Sequence, residues 1–112
     1  MFFYQTSSGR SPVTEELDGL HIPASAHAYE LLTGITRHGF DAPRVIFRQI
    51  EGKLWEIKMQ LPGIGGYRIF YGMFETDTML LVHAYVNKSQ KAPKKELKTA
   101  WQRLLDAQKR GL

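Results

Sequence analysis

The spacing of apolar residues changes twice along the chain, from helical to alternating near Val45 and back to helical after Pro93. Ahead of the first helical stretch, Phe2, Phe3 and Tyr4 make a short apolar start suited to a strand that later elements cover. Ser11 and Pro12 predict the opening of a helix. A serine side chain accepts orphan backbone N–H groups, proline fits the first turn, and Glu15 and Glu16 sit near the positive end of the dipole. Gly19 ends it. After Pro23, Ala24, Ala28, Leu31, Leu32 and Ile35 recur at helical spacing until His38 and Gly39 supply a C-terminal signal. The two helices are expected to form an antiparallel hairpin.

Val45 to Phe47 then leads through a tight turn at Glu51 and Gly52 into Leu54 to Met59. There Trp55, Ile57 and Met59 share one face while Glu56 and Lys58 share the other, as a half-buried strand requires. Leu61 to Gly66 is rich in glycine and proline and predicts a flexible connection. In the next strand Tyr67, Ile69 and Tyr71 oppose Arg68 and Phe70, and Thr78 to Val86 is apolar enough for a central strand buried on both faces. Leu97, Ala100, Trp101, Leu104 and Leu105 form the stripe of a closing amphipathic helix that begins near Pro93 and leaves Lys95, Lys98 and Arg103 mostly toward solvent or a partner. The order predicts an α+β fold: N-terminal strand, helical hairpin, three- to four-stranded mainly antiparallel sheet and C-terminal helix.

Composition narrows this picture. A chain of 112 residues supports one domain spanning residues 1–112, and 43% hydrophobic with 12% aromatic content describes a packed globule. No apolar run approaches the roughly 18 residues of a spanning helix, and Met1 to Gln5 lacks the form of a secretory leader, so a cytoplasmic location without a membrane is expected. Cysteine is absent, which excludes disulfides and thiolate metal sites. His21, His27 and His38 are dispersed without supporting carboxylates, so no metal or cofactor is expected. Gly63, Gly65 and Gly66 lack the lysine of a phosphate loop and read as a hinge or mobile rim.

The net charge of +4 is unevenly placed. Residues 87–112 carry Lys88, Lys91, Lys94, Lys95, Lys98, Arg103, Lys109 and Arg110 against Glu96 and Asp106, a balance of +6, so the preceding 86 residues sum to −2. Such an end suits a polyanion, whose counterions are released on binding, or equally a solvated lysine-rich helix.

Three segments together resemble the RelE/ParE superfamily of bacterial toxins, in particular its HigB-like, phage-associated branch: Lys53 to Lys58, Tyr67 to Tyr71, and Lys88 to Lys95. The resemblance covers almost the whole chain and implies a toxin that cuts messenger RNA on the ribosome and is silenced by a small helix-turn-helix antitoxin. It departs from the family at three places: Lys58 stands where Arg is common, Asn87 where a second Lys is common, and Ala92 where relatives often place Thr before the proline. The first two lower the local positive charge, and lysine presents a point charge where arginine would fork onto a phosphate.

The implied chemistry is attack of a 2′-hydroxyl on the adjacent phosphate, giving a cyclic phosphate without metal. It needs a group to polarise the hydroxyl, cations for the charge gathering on phosphorus, and an acid for the leaving oxygen. Arg68 and Lys58, on adjacent predicted strands, are the expected phosphate clamp, with Lys53 and His83 as further catalytic candidates. Lys88, Lys91, Lys94, Tyr71 and Tyr85 are candidates for RNA contact. His83 in an apolar strand is equally a hydrogen-bonded core imidazole, and Tyr71 shares a face with Ile69, which favours core packing. The same scaffold also allows a ParE-like inhibitor of DNA gyrase, or a non-catalytic nucleic-acid-binding regulator.

Overall fold

The computed structural model describes residues 1–75 and 77–111. In chain order these form β1 (Phe2–Phe3), α1 (Pro12–Asp18), α2 (Ile22–His38), a 3-10 turn (Gly39–Asp41), β2 (Ile46–Glu51), β3 (Leu54–Leu61), β4 (Gly65–Phe74), β5 (Thr78–Val86) and α3 (Lys94–Lys109). The strands make one five-stranded mixed sheet in the order β1-β5-β4-β3-β2, antiparallel throughout except for the parallel β1–β5 pair. This is the α+β arrangement that the change of period predicts. The long apolar run becomes β5, an interior strand flanked on both edges. Among the described residues, no helix is long and apolar enough to cross a membrane.

Each face of the sheet carries its own core. The face formed by Ile57, Met59, Tyr67, Ile69, Tyr71, Leu81 and Ala84 is buried under Val13 and Leu17 of α1 and the Ala24, Ala28, Leu31, Leu32 and Ile35 stripe of α2. The opposite face places Leu54, Phe70, Leu80 and Val82 against Ala100, Leu104 and Ala107 of α3. A bulge assigns these sides: Phe70 pairs with His83 but Tyr71 with Leu81, so Val82 and His83 both turn toward α3 instead of alternating.

Several local expectations need correction. The segment after Leu61 is no flexible connection: β3 runs to Leu61 and β4 starts at Gly65, leaving a tight hairpin turn whose Gly63 (φ 71°) and Gly65 (φ 88°) adopt the left-handed region glycine allows. The Pro62 carbonyl is also bound by the His21 ring at 2.9 Å, which ties the turn to the start of α2. Ser11 occupies the N-cap position of α1 without a side-chain cap; its hydroxyl instead donates to Thr14 Oγ1 at 2.8 Å. The stripe of α3 is rotated from the predicted one: Ala107 is buried and Leu105 is 52% exposed. Arg103 faces inward, donating to the Val82 carbonyl at 3.0 Å. Burial lowers the pKa of this guanidinium.

Gly72 marks the closest approach of α3 to the sheet, since a Cβ there would lie 2.5 Å from Leu104 Cδ1. Gly72→Ala therefore forces a fully buried leucine off its rotamer and is expected to cost about 1–3 kcal/mol by urea unfolding. In a Leu104→Ala background the added cost should shrink well below that, because the clash partner is gone.

Candidate functional site

Cross-strand register brings the charged residues of the sheet into two neighbouring rows on the α3 side. Ile46, Lys58, Arg68 and Tyr85 are successive partners across β2, β3, β4 and β5, and Arg48, Glu56, Phe70 and His83 are the next row. Directly opposed residues have Cβ atoms about 4.5–5.5 Å apart, so Lys58 and Arg68 are neighbours on one surface. Two cations from separate strands converge there.

Glu56 organises this surface. It is fully buried; its Oε1 accepts a hydrogen bond from Arg68 Nη1 at 2.8 Å and forms an ion pair with Arg48 Nη2 at 2.8 Å. A carboxylate out of water is costly unless paired, and two guanidinium groups so close repel unless an anion lies between them. Each therefore stabilises the other's position. Among the described residues, Glu56 Oε2 has no hydrogen-bond partner and Lys58 forms no ion pair. Glu56 and Arg48 escape sequence reasoning because strict alternation assigns Glu56 to a wet face. The usable signal is its direct opposition to Arg48 across the Glu51–Gly52 turn.

The aromatic residues are less available than expected. Tyr85 is 6% exposed, clustered with the near-parallel rings of Phe70 (centroids 5.4 Å) and His83 (5.9 Å), so little of its ring is open to a base. Its phenol is pushed up to about 12, by burial and then by the charge of Glu56, and remains a protonated donor at neutral pH. Tyr71 lies in the opposite core, fully buried, which removes it from RNA contact.

His83 is anchored to α3. Arg103 Nη1 lies 3.1 Å from Nδ1, and because arginine only donates, Nδ1 accepts and the ring proton sits on Nε2, which donates to Glu96 at 2.9 Å. Both nitrogens are engaged, so the imidazole acts as a tie between β5 and α3. Lys53 sits in the turn between β2 and β3, five positions from Lys58 and so about 17 Å away along the strand, outside the cluster.

Lys88 and Lys91 are exposed on the loop joining β5 to α3, and Lys94 opens α3. This loop is shaped: Asn87 N–H extends the ladder to the Gly66 carbonyl at 3.1 Å, and Asn87 Oδ1 accepts from Ser89 N–H at 2.9 Å. Ser89 Oγ then donates to the Lys91 carbonyl at 2.8 Å. Asn87 is 93% buried at the loop's base and builds an Asx turn. Lys88 follows three residues after Tyr85, the β5 partner of Arg68.

Three buried tyrosines give a pH signature. Burial pushes Tyr71 up to about 12 and raises Tyr67 further, alongside Tyr85. The folded state favours the neutral phenols, so their contribution is complete below the unfolded value near 10 and is lost as pH rises through the folded values. The thermal midpoint should hold to about pH 10 and fall steeply by about pH 12, with Tyr85→Phe reducing the drop.

A five-stranded mixed sheet between a helical pair and a terminal helix, with cations gathered on its α3 side, is compatible with a RelE-like fold. The chain belongs to the phage-derived Gp49-like protein family (DUF891), matched over residues 15–105, a RelE-like toxin family within the RelE/ParE-like toxin–antitoxin superfamily. None of the curated proteins matches the chain.

Proposed function

We propose that this protein is the toxin of a two-gene module and cleaves messenger RNA on the ribosome, in the manner of the HigB-like branch. The observation that carries the reading is the convergence of Lys58 and Arg68 as direct cross-strand partners beside the lysine-bearing loop. A phosphorane gathers negative charge on its equatorial oxygens, and fixed cations stabilise that charge more than the ground state. Arg68, held by Glu56, is the phosphate ligand; Lys58 is the second cation; Lys88, Lys91 and Lys94 guide the backbone. The 2′-hydroxyl attacks phosphorus, its proton leaves, and the 5′-oxygen departs with a proton, giving a cyclic phosphate. The ribosome supplies substrate geometry, so naked RNA is a poor substrate. A small helix-turn-helix antitoxin is the proposed partner, covering the cationic face, and the cytoplasm is the proposed location.

Controlled expression with mapping of transcript ends tests this. Growth arrest with cuts inside translated frames is expected. Arrest with intact messages and inhibited supercoiling by gyrase would move the protein to ParE-like action, and unaffected growth to a non-catalytic binding role.

A further inference from the structure

We infer that Arg48, on the edge strand β2, is a third cation of the RNA-backbone site, and that Glu56 is the positioning residue holding Arg48 and Arg68 at a spacing that fits one phosphate. This rests on the nuclease reading above. Both guanidinium groups reach the same carboxylate oxygen at 2.8 Å, so the two nitrogens lie within twice that distance of each other. Burial is graded: the Glu56 side chain is fully buried, that of Arg68 10% exposed and that of Arg48 42% exposed. The carboxylate is the floor and the cations stand above it.

The pairing also differs from a purely structural one. An arginine that serves only to neutralise a carboxylate commonly grips both oxygens with its fork. Here Oε1 takes both arginines and Oε2 takes no partner among the described residues, so each guanidinium keeps N–H donors for another anion. Three cations, Arg48, Lys58 and Arg68, over one carboxylate leave two net positive charges, matching the dianionic character of a phosphorane. Without Arg48 the site would fall to one.

The test uses the full chain and a single-stranded RNA oligonucleotide in fluorescence-anisotropy titrations at several salt concentrations, with message cleavage on programmed ribosomes in parallel. Arg48→Ala should weaken RNA binding about tenfold and flatten the dependence of log affinity on log salt by about one phosphate contact, and Arg48→Lys should restore the slope. Glu56→Gln separates positioning from charge. Removing a negative charge should leave RNA binding equal or tighter, yet the cleavage kcat should fall about tenfold with KM little changed. Arg48→Ala with wild-type affinity, slope and cleavage, while Arg68→Ala loses affinity and cleavage, would overturn the inference and leave the nuclease reading standing. Glu56→Gln that cleaves at the wild-type rate would overturn the positioning role. Should the wild type cleave nothing, the nuclease reading fails by itself, and the salt slope still decides Arg48. Since Arg48 is half-exposed, its variants keep the test open even if Glu56→Gln does not fold.

Discussion

Arg68→Ala is expected to lower message cleavage on programmed ribosomes by about 10²–10³-fold, the usual consequence of losing one preorganised donor to a charge that develops in the transition state. Three features set the size. The Arg68 side chain is 90% buried, its guanidinium is held by Glu56 at 2.8 Å, and it is flanked by Lys58 in the same row. A partly desolvated, immobilised cation stabilises a phosphorane more than a mobile surface lysine does. The fold should survive, because Arg48 still pairs with Glu56. Arg68→Lys should recover only part of the rate, since it returns the charge without the fork. In a growth assay both variants should relieve arrest, alanine more completely. Equal cleavage by Arg68→Ala and the wild type would remove this residue from the chemistry.

Glu56→Leu should be among the most destabilising single changes, about 3–5 kcal/mol, because it leaves two cations facing one another with no anion at the base of the site. Against a total stability of about 5–15 kcal/mol this is a large fraction, and the thermal midpoint should drop by at least about 10 °C. The triple change Arg48→Met, Glu56→Leu, Arg68→Met should recover most of that stability while abolishing cleavage, since well-packed apolar groups of similar volume replace buried ion pairs at little cost. Recovery of stability without activity is the mark of a site kept for function. If Glu56→Leu unfolds at the wild-type urea midpoint, the carboxylate is not the keystone described.

The element order was readable because period, caps and turn residues agree: the α2 stripe, the Gly52 turn and the apolar β5 run all fall where spacing places them. What failed depends on long-range geometry. Composition alone reads Pro62, Gly63, Gly65 and Gly66 as a loose connection, whereas positive φ at two glycines closes a tight hairpin. The β5 bulge turns His83 toward α3, where Glu96 and Arg103, thirteen and twenty residues on, engage both ring nitrogens. Nothing local announces that. Within the site, period-two alternation placed Lys58 and Arg68 on one face, but it cannot say how much of that face a later helix covers. Glu56 and Tyr85 are thereby buried on a face whose pattern looks solvated. Tyr71 and Lys53 fell out for simpler reasons, one by parity and one by distance along the strand.

The measurement that bears most directly on the cationic site as an RNA-cutting centre is the end chemistry of a defined message incubated with purified protein, with and without translating ribosomes. The expected result is new ends within the reading frame, carrying a cyclic phosphate on the upstream fragment, only when ribosomes are present, and at least about a hundredfold fewer with Arg68→Ala. An intact message under translating conditions, or identical cuts from wild type and Arg68→Ala, would contradict it.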